Sequence, residues 1–371
     1  MQLAELETPA LLLDRAKLDR NLARMRAQVS GVNLRPHVKT SKSVDVVRRA
    51  VAPGAGGITV STLKEAEQFY AAGYRDILYA VGIAPGKLIH VAALRARGCE
   101  LVIILDSIEA ALAVAKASST KGVVLPTLIE IDSDGHRAGV KPGDAKLLAI
   151  GHILGTNLRG VMTHAGGSYD CKSVDEIRAM AERERAAVVH CAEALRGAAM
   201  LCSVVSVGSS PTATFSESFA GVSEVRAGVY MFFDLFMAGL SVCAVDDIAL
   251  SVLTSVIGHQ PEKGWIITDA GWMALSRDRG TASQKIDQGY GLVCDVAGRP
   301  IEGLIVSGAN QEHGIISARD GGEVAGGRFP IGTLLRILPN HACATAAQHE
   351  SYIVVEDTLQ IAARWPRFSG W

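Results

Sequence analysis

Aromatic residues are scarce, 5% of 371, so a stacking platform for nucleic-acid bases is excluded. Charge of either sign is not in excess: 37 Lys and Arg against 38 Asp and Glu leave −1. A nucleic-acid binder needs a basic excess, and a polybasic membrane anchor needs a basic run. No apolar run approaches the roughly 20 residues of a membrane-spanning helix. The segment Met1 to Asp14 carries acidic residues where a signal peptide needs basic ones, and its apolar run is short. The seven cysteines (99, 171, 191, 202, 243, 294 and 343) are odd in number and form no CxxC pair. A disulfide framework is therefore not expected, and a reduced, cytoplasmic setting is. No GxGxxG follows the first strand-like run, so a doubly wound dinucleotide-binding sheet lacks its signature.

What is present is a chain able to bury a large core, 49% hydrophobic and 20% charged, with 38 glycines for tight turns. Short apolar runs alternate with helical spacing as far as about Tyr230. The runs are 10–13, 34–39, 57–61, 77–81, 101–105, 125–131, 160–163, 204–207 and 225–229. Helices are expected at 14–28, 62–72, 107–117 and 173–195. This alternation predicts a parallel sheet covered by helices, and eight of the nine strands suffice for a (β/α)8 barrel. The first run, at the terminus, is the one to be placed elsewhere. Beyond about Val245, short Val- and Ile-rich runs bounded by Gly, Asp, Asn and Pro predict an antiparallel β-domain. The expected division is a barrel over 14–244 and a β-domain built from 1–13 and 245–371.

Three segments carry residues suited to chemistry. Lys39, in Arg35-Pro36-His37-Val38-Lys39-Thr40-Ser41-Lys42, falls at the end of the first barrel strand, where barrel active sites are built. Partly desolvated there, it is suited to act as an amine nucleophile, and it is better placed than Lys42. Both would serve equally as surface lysines before a helix. Gly208-Ser209-Ser210-Pro211-Thr212 follows a late strand and suits a phosphate, or is an ordinary turn. A strand-end lysine and a phosphate loop together suggest pyridoxal phosphate. In Asn340-His341-Ala342-Cys343 an extended strand would point His341 and Cys343 to one face, toward one cation. By itself the spacing fits a buried thiol and a hydrogen-bonded histidine better. Arg137, His164, Tyr169 and Arg226 lie near other strand ends or turns.

These segments, with Glu130-Ile131-Asp132, Asp134-Gly135-His136-Arg137, Thr163-His164-Ala165-Gly166, Asp269-Ala270-Gly271-Trp272 and Gln311-Glu312-His313-Gly314, give a whole-chain resemblance. The sequence resembles the fold-type III pyridoxal-phosphate enzymes, an alanine-racemase-like barrel followed by a β-domain. Within them it is similar to the branch of D-serine dehydratase, D-threonine aldolase and D-threo-3-hydroxyaspartate dehydratase. The resemblance implies that Lys39 holds the cofactor covalently and that Gly208, Ser209 and Ser210 hold its phosphate, with Tyr230 close by. It implies further that Arg137 faces the phenolic oxygen, Arg226 the pyridine nitrogen, and His164 and Tyr169 the ring. His341 and Cys343 match the metal pair. The dehydratases carry His-x-Cys and the aldolases His-x-Asp, and a thiolate suits zinc, where a carboxylate suits harder ions such as manganese.

The implied activity is a lyase, a pyridoxal-phosphate- and divalent-metal-dependent dehydratase of D-3-hydroxy amino acids. The metal would be zinc, manganese, cobalt or magnesium. D-threo-3-hydroxyaspartate, giving oxaloacetate and ammonia, is the first choice of substrate, and D-serine, giving pyruvate, the second. The alternatives are a D-threonine aldolase, a racemase, and a barrel protein that binds pyridoxal phosphate for cofactor homeostasis. A second substrate carboxylate would need a cation, for which Arg137, Arg277 and Arg279 are candidates. A homodimer is implied by the resemblance alone.

Overall fold

The computed structural model describes residues 2–322, 326–356 and 359–371. The chain divides into two compact units, Arg24–Gly228 with Gly370–Trp371, and Met1–Ala23 with Val229–Ser369.

Strands are numbered along the chain, and the first, β1 (Ala10–Asp14), lies outside the larger unit. That unit holds β2 (Asn33–Pro36), β3 (Ile58–Val60), β4 (Asp76–Gly82), β5 (Glu100–Leu105), β6 (Thr127–Ile131), β7 (Leu158–Thr163), β8 (Val204–Val207) and β9 (Glu224–Ala227). They form one parallel sheet in the order β2-β9-β8-β7-β6-β5-β4-β3. Its two edges meet where the Val38 N–H donates to Thr59 O at 2.8 Å and His37 bridges Thr59, so the barrel is nearly closed. Helices return the chain between strands, and their starts are written in the sequence. Thr62, Ser107 and Ser173 each accept the N–H three residues on, at Glu65, Ala110 and Glu176. Each such cap contributes about 1 kcal/mol.

The barrel is lined unevenly. Leu78, Ile104, Leu128 and Met162, from β4 to β7, form one buried apolar cluster. Across β8, β9 and β2 the buried residues include Ser206, Glu224 and Arg226, with Arg35 beside them. The Arg35 guanidinium donates to Glu224 at 2.7 Å and, through two nitrogens, to Asp76 at 2.8 and 2.9 Å. Burial opposes its charge, but these two carboxylates outweigh that and raise its pKa above the usual value. Removing one partner of such a buried group costs roughly 3–5 kcal/mol.

The second unit is the β-domain. It holds β10 (Leu250–Gln260), β11 (Trp265–Thr268), β12 (Leu292–Cys294), β13 (Pro300–Ala309), β14 (Gly314–Ala318), β15 (Leu334–Leu338), β16 (Ser351–Val355) and β17 (Ile361–Pro366). Six of them run β11-β14-β13-β12-β15-β10 and close through a β10–β11 pairing into a second, antiparallel barrel. β1 extends this sheet, antiparallel to β10 and parallel to β16. Leu11, Leu12 and Leu13 are all buried, which explains a run without alternation: this strand is covered on both faces. Leu12 packs with Leu3, Leu253, Ile353 and Val355.

Eight expected strands thus form the barrel and the ninth joins the β-domain sheet. Three local expectations need correction. The 34–39 run is a strand only to Pro36; Val38 to Ser41 is a turn closed by the Lys42 N–H on Val38 O at 2.8 Å. β14 was not foreseen, because Gly314-Ile-Ile-Ser-Ala is short and ends small. His341 and Cys343 are not in an extended strand: β15 ends at Leu338, and Ala342–Ala346 is helical with His341 as its N-cap.

Candidate active site

Lys39 lies in the turn after β2, and its side chain is exposed, so the expectation of a partly desolvated amine is not met. Its neighbour His37 is half-buried, and the Lys39 N–H points to His37 Nδ1 at 3.5 Å. Burial, then the charges of Lys39 and Arg226, push His37 well below the ordinary imidazole pKa.

The loops after β7 and β8 are tied together. His164 Nδ1 lies 2.9 Å from Gly208 O. A carbonyl can only accept, so Nδ1 carries the proton and Nε2 keeps its lone pair. Burial pushes His164 down to about 4, opposed by the Gly208 bond and reinforced by Lys39, Arg226 and Arg137. The imidazole is therefore neutral at physiological pH. Its ring lies 6.2 Å from that of half-buried Tyr169. Ser168 Oγ meets Ser209 Oγ at 2.9 Å. Ser209 caps the short helix Ser210–Phe215, accepting the Thr212 N–H. Gly208 has φ +137, and a Cβ there would sit 1.9 Å from Arg226 O, so only glycine fits.

Arg226 is buried on β9 and donates at 2.5 Å to both Ser206 Oγ and Thr163 O. Burial lowers its pKa below the usual guanidinium value, with Glu224, Glu184 and Glu130 opposing only in part. Glu184, from the helix Val174–Gly197, accepts the N–H groups of Ala165 and Gly208 at 3.0 and 2.9 Å. Arg137, exposed in the loop after β6, pairs with buried Glu130 at 3.4 Å. Burial raises the Glu130 carboxyl above its usual range, with Arg137 opposing.

The remaining expected residues belong to the other unit. Tyr230 is buried in the turn Val229–Met231. His341 Nδ1 lies 2.6 Å from Asp278 Oδ2, and Asp278 Oδ1 accepts the Gly280 N–H at 2.9 Å. Burial opposes charge on His341, but hydrogen bonds to Asp278 and Cys343 and the charges of Cys343 and Asp234 outweigh it and raise it to about 11. The segment is fixed from below. Asn340 donates to Gly289 O at 2.6 Å, and the Ala342 N–H donates to Asp234 at 2.9 Å. Among the described residues no group of three or more His, Cys, Asp or Glu side chains is gathered as for a metal. The donors that converge are one imidazole and one thiol, a soft pair that fits a zinc-like cation with open positions. Of the other cysteines, burial pushes Cys99 and Cys191 up to about 11 and Cys294 up to about 12, which leaves them unreactive. Arg279 is engaged by Asp287 at 2.6 Å, and Arg277 lies over the Trp272 ring at 5.3 Å.

The barrel site therefore gathers Lys39, Arg137, His164, Tyr169, Gly208, Ser209, Ser210 and Arg226 in one unit, and Tyr230, His341 and Cys343 lie in the other. His37, Glu65, Glu184, Asp234 and Asp278 were not singled out from sequence. For Glu65 a signal was available in the capping-box spacing of Thr62-Leu63-Lys64-Glu65.

A parallel barrel with an amine after its first strand, a serine-rich loop after its seventh and a separate antiparallel unit defines the alanine-racemase-like class of pyridoxal-phosphate enzymes. The donor set fits that cofactor: an exposed amine, a hydroxyl-bearing loop after a glycine no other residue can replace, and a buried guanidinium. Residues 13–235 match the alanine racemase N-terminal domain and residues 249–355 a serine dehydratase domain. The chain belongs to the fold-type III pyridoxal-phosphate family that includes D-serine dehydratase and D-threonine aldolase, and it is an enzyme of the lyase class. It is 56% identical over 379 residues to D-threo-3-hydroxyaspartate dehydratase of Delftia sp. (strain HT23), covering 100% of this chain and 99% of that one. It is 28% identical to D-serine dehydratase of Dictyostelium discoideum (99% and 98% covered) and 28% to D-threonine aldolase of an Arthrobacter species (98% and 94%). A cysteine-to-alanine variant of a D-threo-3-hydroxyaspartate dehydratase, solved in the metal-free form, superposes with TM-score 0.97 at 55% identity, covering 100% of both chains. Among the described residues no helix is long and apolar enough to cross a membrane.

Proposed function

We propose that this chain is a dehydratase of D-3-hydroxy amino acids, with D-threo-3-hydroxyaspartate as its preferred substrate and oxaloacetate and ammonia as its products. The observation that carries this is 56% identity, end to end, to a dehydratase of that name, twice the 28% shared with the D-threonine aldolase. The His341 and Cys343 pair, with a thiol where the aldolase pattern has a carboxylate, supports the same choice.

When bound, pyridoxal phosphate supplies an electron sink for a Cα carbanion, and a divalent metal supplies a Lewis acid for the β-hydroxyl. Lys39 would hold the cofactor, and its Nζ, when free, would take the Cα proton. Gly208, Ser209 and Ser210 would hold the phosphate, Arg137 would face the phenolic oxygen and Arg226 the pyridine nitrogen, with Tyr230 a further cofactor-binding residue. His164 stays neutral, so its Nε2 accepts a hydrogen bond without adding a cation to the site, and Tyr169 packs beside it. His341 and Cys343 hold the metal, zinc by the softness of the thiolate, with Asp278 orienting the imidazole. In this proposal residues 14–244 are the cofactor domain, and 1–13 with 245–371 the metal-bearing one. The enzyme works in the cytoplasm as a homodimer on a small-molecule substrate, without nucleic-acid or membrane partners.

The test is product analysis with D-serine, D-threonine and both diastereomers of 3-hydroxyaspartate. Ammonia and a keto acid without glycine are expected, fastest with the D-threo diastereomer. Glycine as the main product would refute the dehydratase assignment. Lys39→Ala should abolish the absorbance of covalently held cofactor; a yellow, active variant would refute that role.

A further inference from the structure

Two lysines stand three residues apart after β2, and the structure treats them differently. Lys39 is exposed, and among the described residues no carboxylate forms an ion pair with it. Lys42 Nζ lies 3.2 Å from Glu65 Oε1, with 21% of the Lys42 side chain and 1% of the Glu65 side chain exposed. That carboxylate is itself fixed. Glu65 Oε2 accepts the Ser61 N–H at 3.0 Å, Oε1 accepts the Thr62 hydroxyl at 3.3 Å, and the Glu65 N–H returns a bond to Thr62 Oγ1 at 3.0 Å. Lys42 also has φ +42, a left-handed conformation that is strained for a residue with a Cβ. The conformation persists because the chain is held at both ends of the residue: its N–H closes the turn on Val38 O, and its ammonium is held by Glu65.

We propose that Glu65 is a specificity-determining residue for cofactor attachment: by holding Lys42, it commits the covalent linkage to Lys39. This rests on the assignment of Lys39 made above. The chemistry is a condensation. The Nζ lone pair adds to the aldehyde carbon, a C=N bond forms, and the carbonyl oxygen leaves as water. An amine needs a free lone pair for that addition, and Lys42 must leave its carboxylate to offer one. The turn keeps Lys42 close in sequence and space to Lys39, so without Glu65 it becomes a competing amine. The buried carboxylate thus acts through Lys42.

The experiment traps the linkage. Full-length protein is mixed with one equivalent of pyridoxal phosphate and reduced with borohydride, which delivers hydride to the imine carbon while nitrogen takes a proton from water. The labelled lysine is then located by peptide mapping. Wild type should carry the label on Lys39; a label on Lys42 overturns the proposal, and a label on any other lysine refutes the Lys39 assignment on which it rests. K39A should carry little label on Lys42. K39A/E65A and K39A/E65Q should raise it roughly tenfold, equivalent to about 1.4 kcal/mol. E65Q keeps the size of the side chain and one acceptor oxygen, enough for the Ser61 N–H or the Thr62 hydroxyl, so it guards better than E65A against a loss of folding, which thermal melting checks. In E65Q with Lys39 intact, the label should divide between the two lysines. Strong labelling of Lys42 in K39A alone, or no rise in folded double variants, overturns the proposal.

Discussion

Neutral His164 is the feature most open to direct measurement. Its pKa of about 4 lies below the 6.5 of an unhindered imidazole. A difference of about 2.5 pKa units corresponds to about 3 kcal/mol, and partial exposure of the ring reduces this to about 2 kcal/mol. The sign follows from which state binds the proton. The folded pKa is depressed, so between pH 6.5 and 4 the unfolded chain takes up a proton that the folded one refuses. The stabilisation is complete above pH 6.5 and is lost as pH falls toward 4. Histidine-selective nitrogen NMR should find Nδ1 protonated, on the Gly208 carbonyl, and Nε2 bare from pH 8 to pH 5. H164Q should then lose less stability than wild type over the acid window, by about 2 kcal/mol in denaturant titrations. It will not be flat, because His37 is depressed in the same direction. A His164 midpoint between pH 6 and 7, or an acid slope unchanged in H164Q, would refute the assigned tautomer and its burial.

Asp278→Asn should weaken zinc binding by about 10–100-fold in competition with a chromophoric chelator, because the imidazole loses its orienting carboxylate; unchanged affinity would refute the bracing role. Gly208→Ala should lower stability by at least about 2 kcal/mol, read as a fall in melting temperature, since the new Cβ meets Arg226 O and φ is positive. Leu13→Ala, fully buried on β1, should cost roughly 2–5 kcal/mol by the same measurement, and a loss under 1 kcal/mol would show that the site collapses around the deletion.

The strands were legible because each is a short apolar run closed by a turn, and the barrel because eight such runs alternate with capped helices. β1 was placed correctly by elimination, since a barrel has no room for a ninth strand. The local conformation at His341 was not legible. The spacing His-x-Cys is compatible with a strand or a helix start, and the choice is made by Asp234 and Asn340, whose partners are distant in sequence. The supporting acids were invisible for a related reason. Glu184 looks like any charge on an amphipathic helix, yet it points inward and gathers two loops. Asp278 sits between two arginines that drew attention as cations, and it is the acid that meets His341. Lys39 was legible as a position, but its exposure was not, because solvent access depends on a turn that the strand-like pattern hid.

The placement of β1 also has a consequence for how the chain is made. Leu11 to Leu13 leave the ribosome before any barrel strand, but their partners Leu250 to Val252 and Ile353 to Val354 come late. At roughly 5–20 residues per second, the wait for Val354 is about 20–70 s. Until β10 is made, this wholly apolar segment has neither edge paired, and until β16 follows one edge stays open. A segment made before every barrel strand is therefore among the latest to be satisfied, and the speed of translation sets how long it is open to wrong partners.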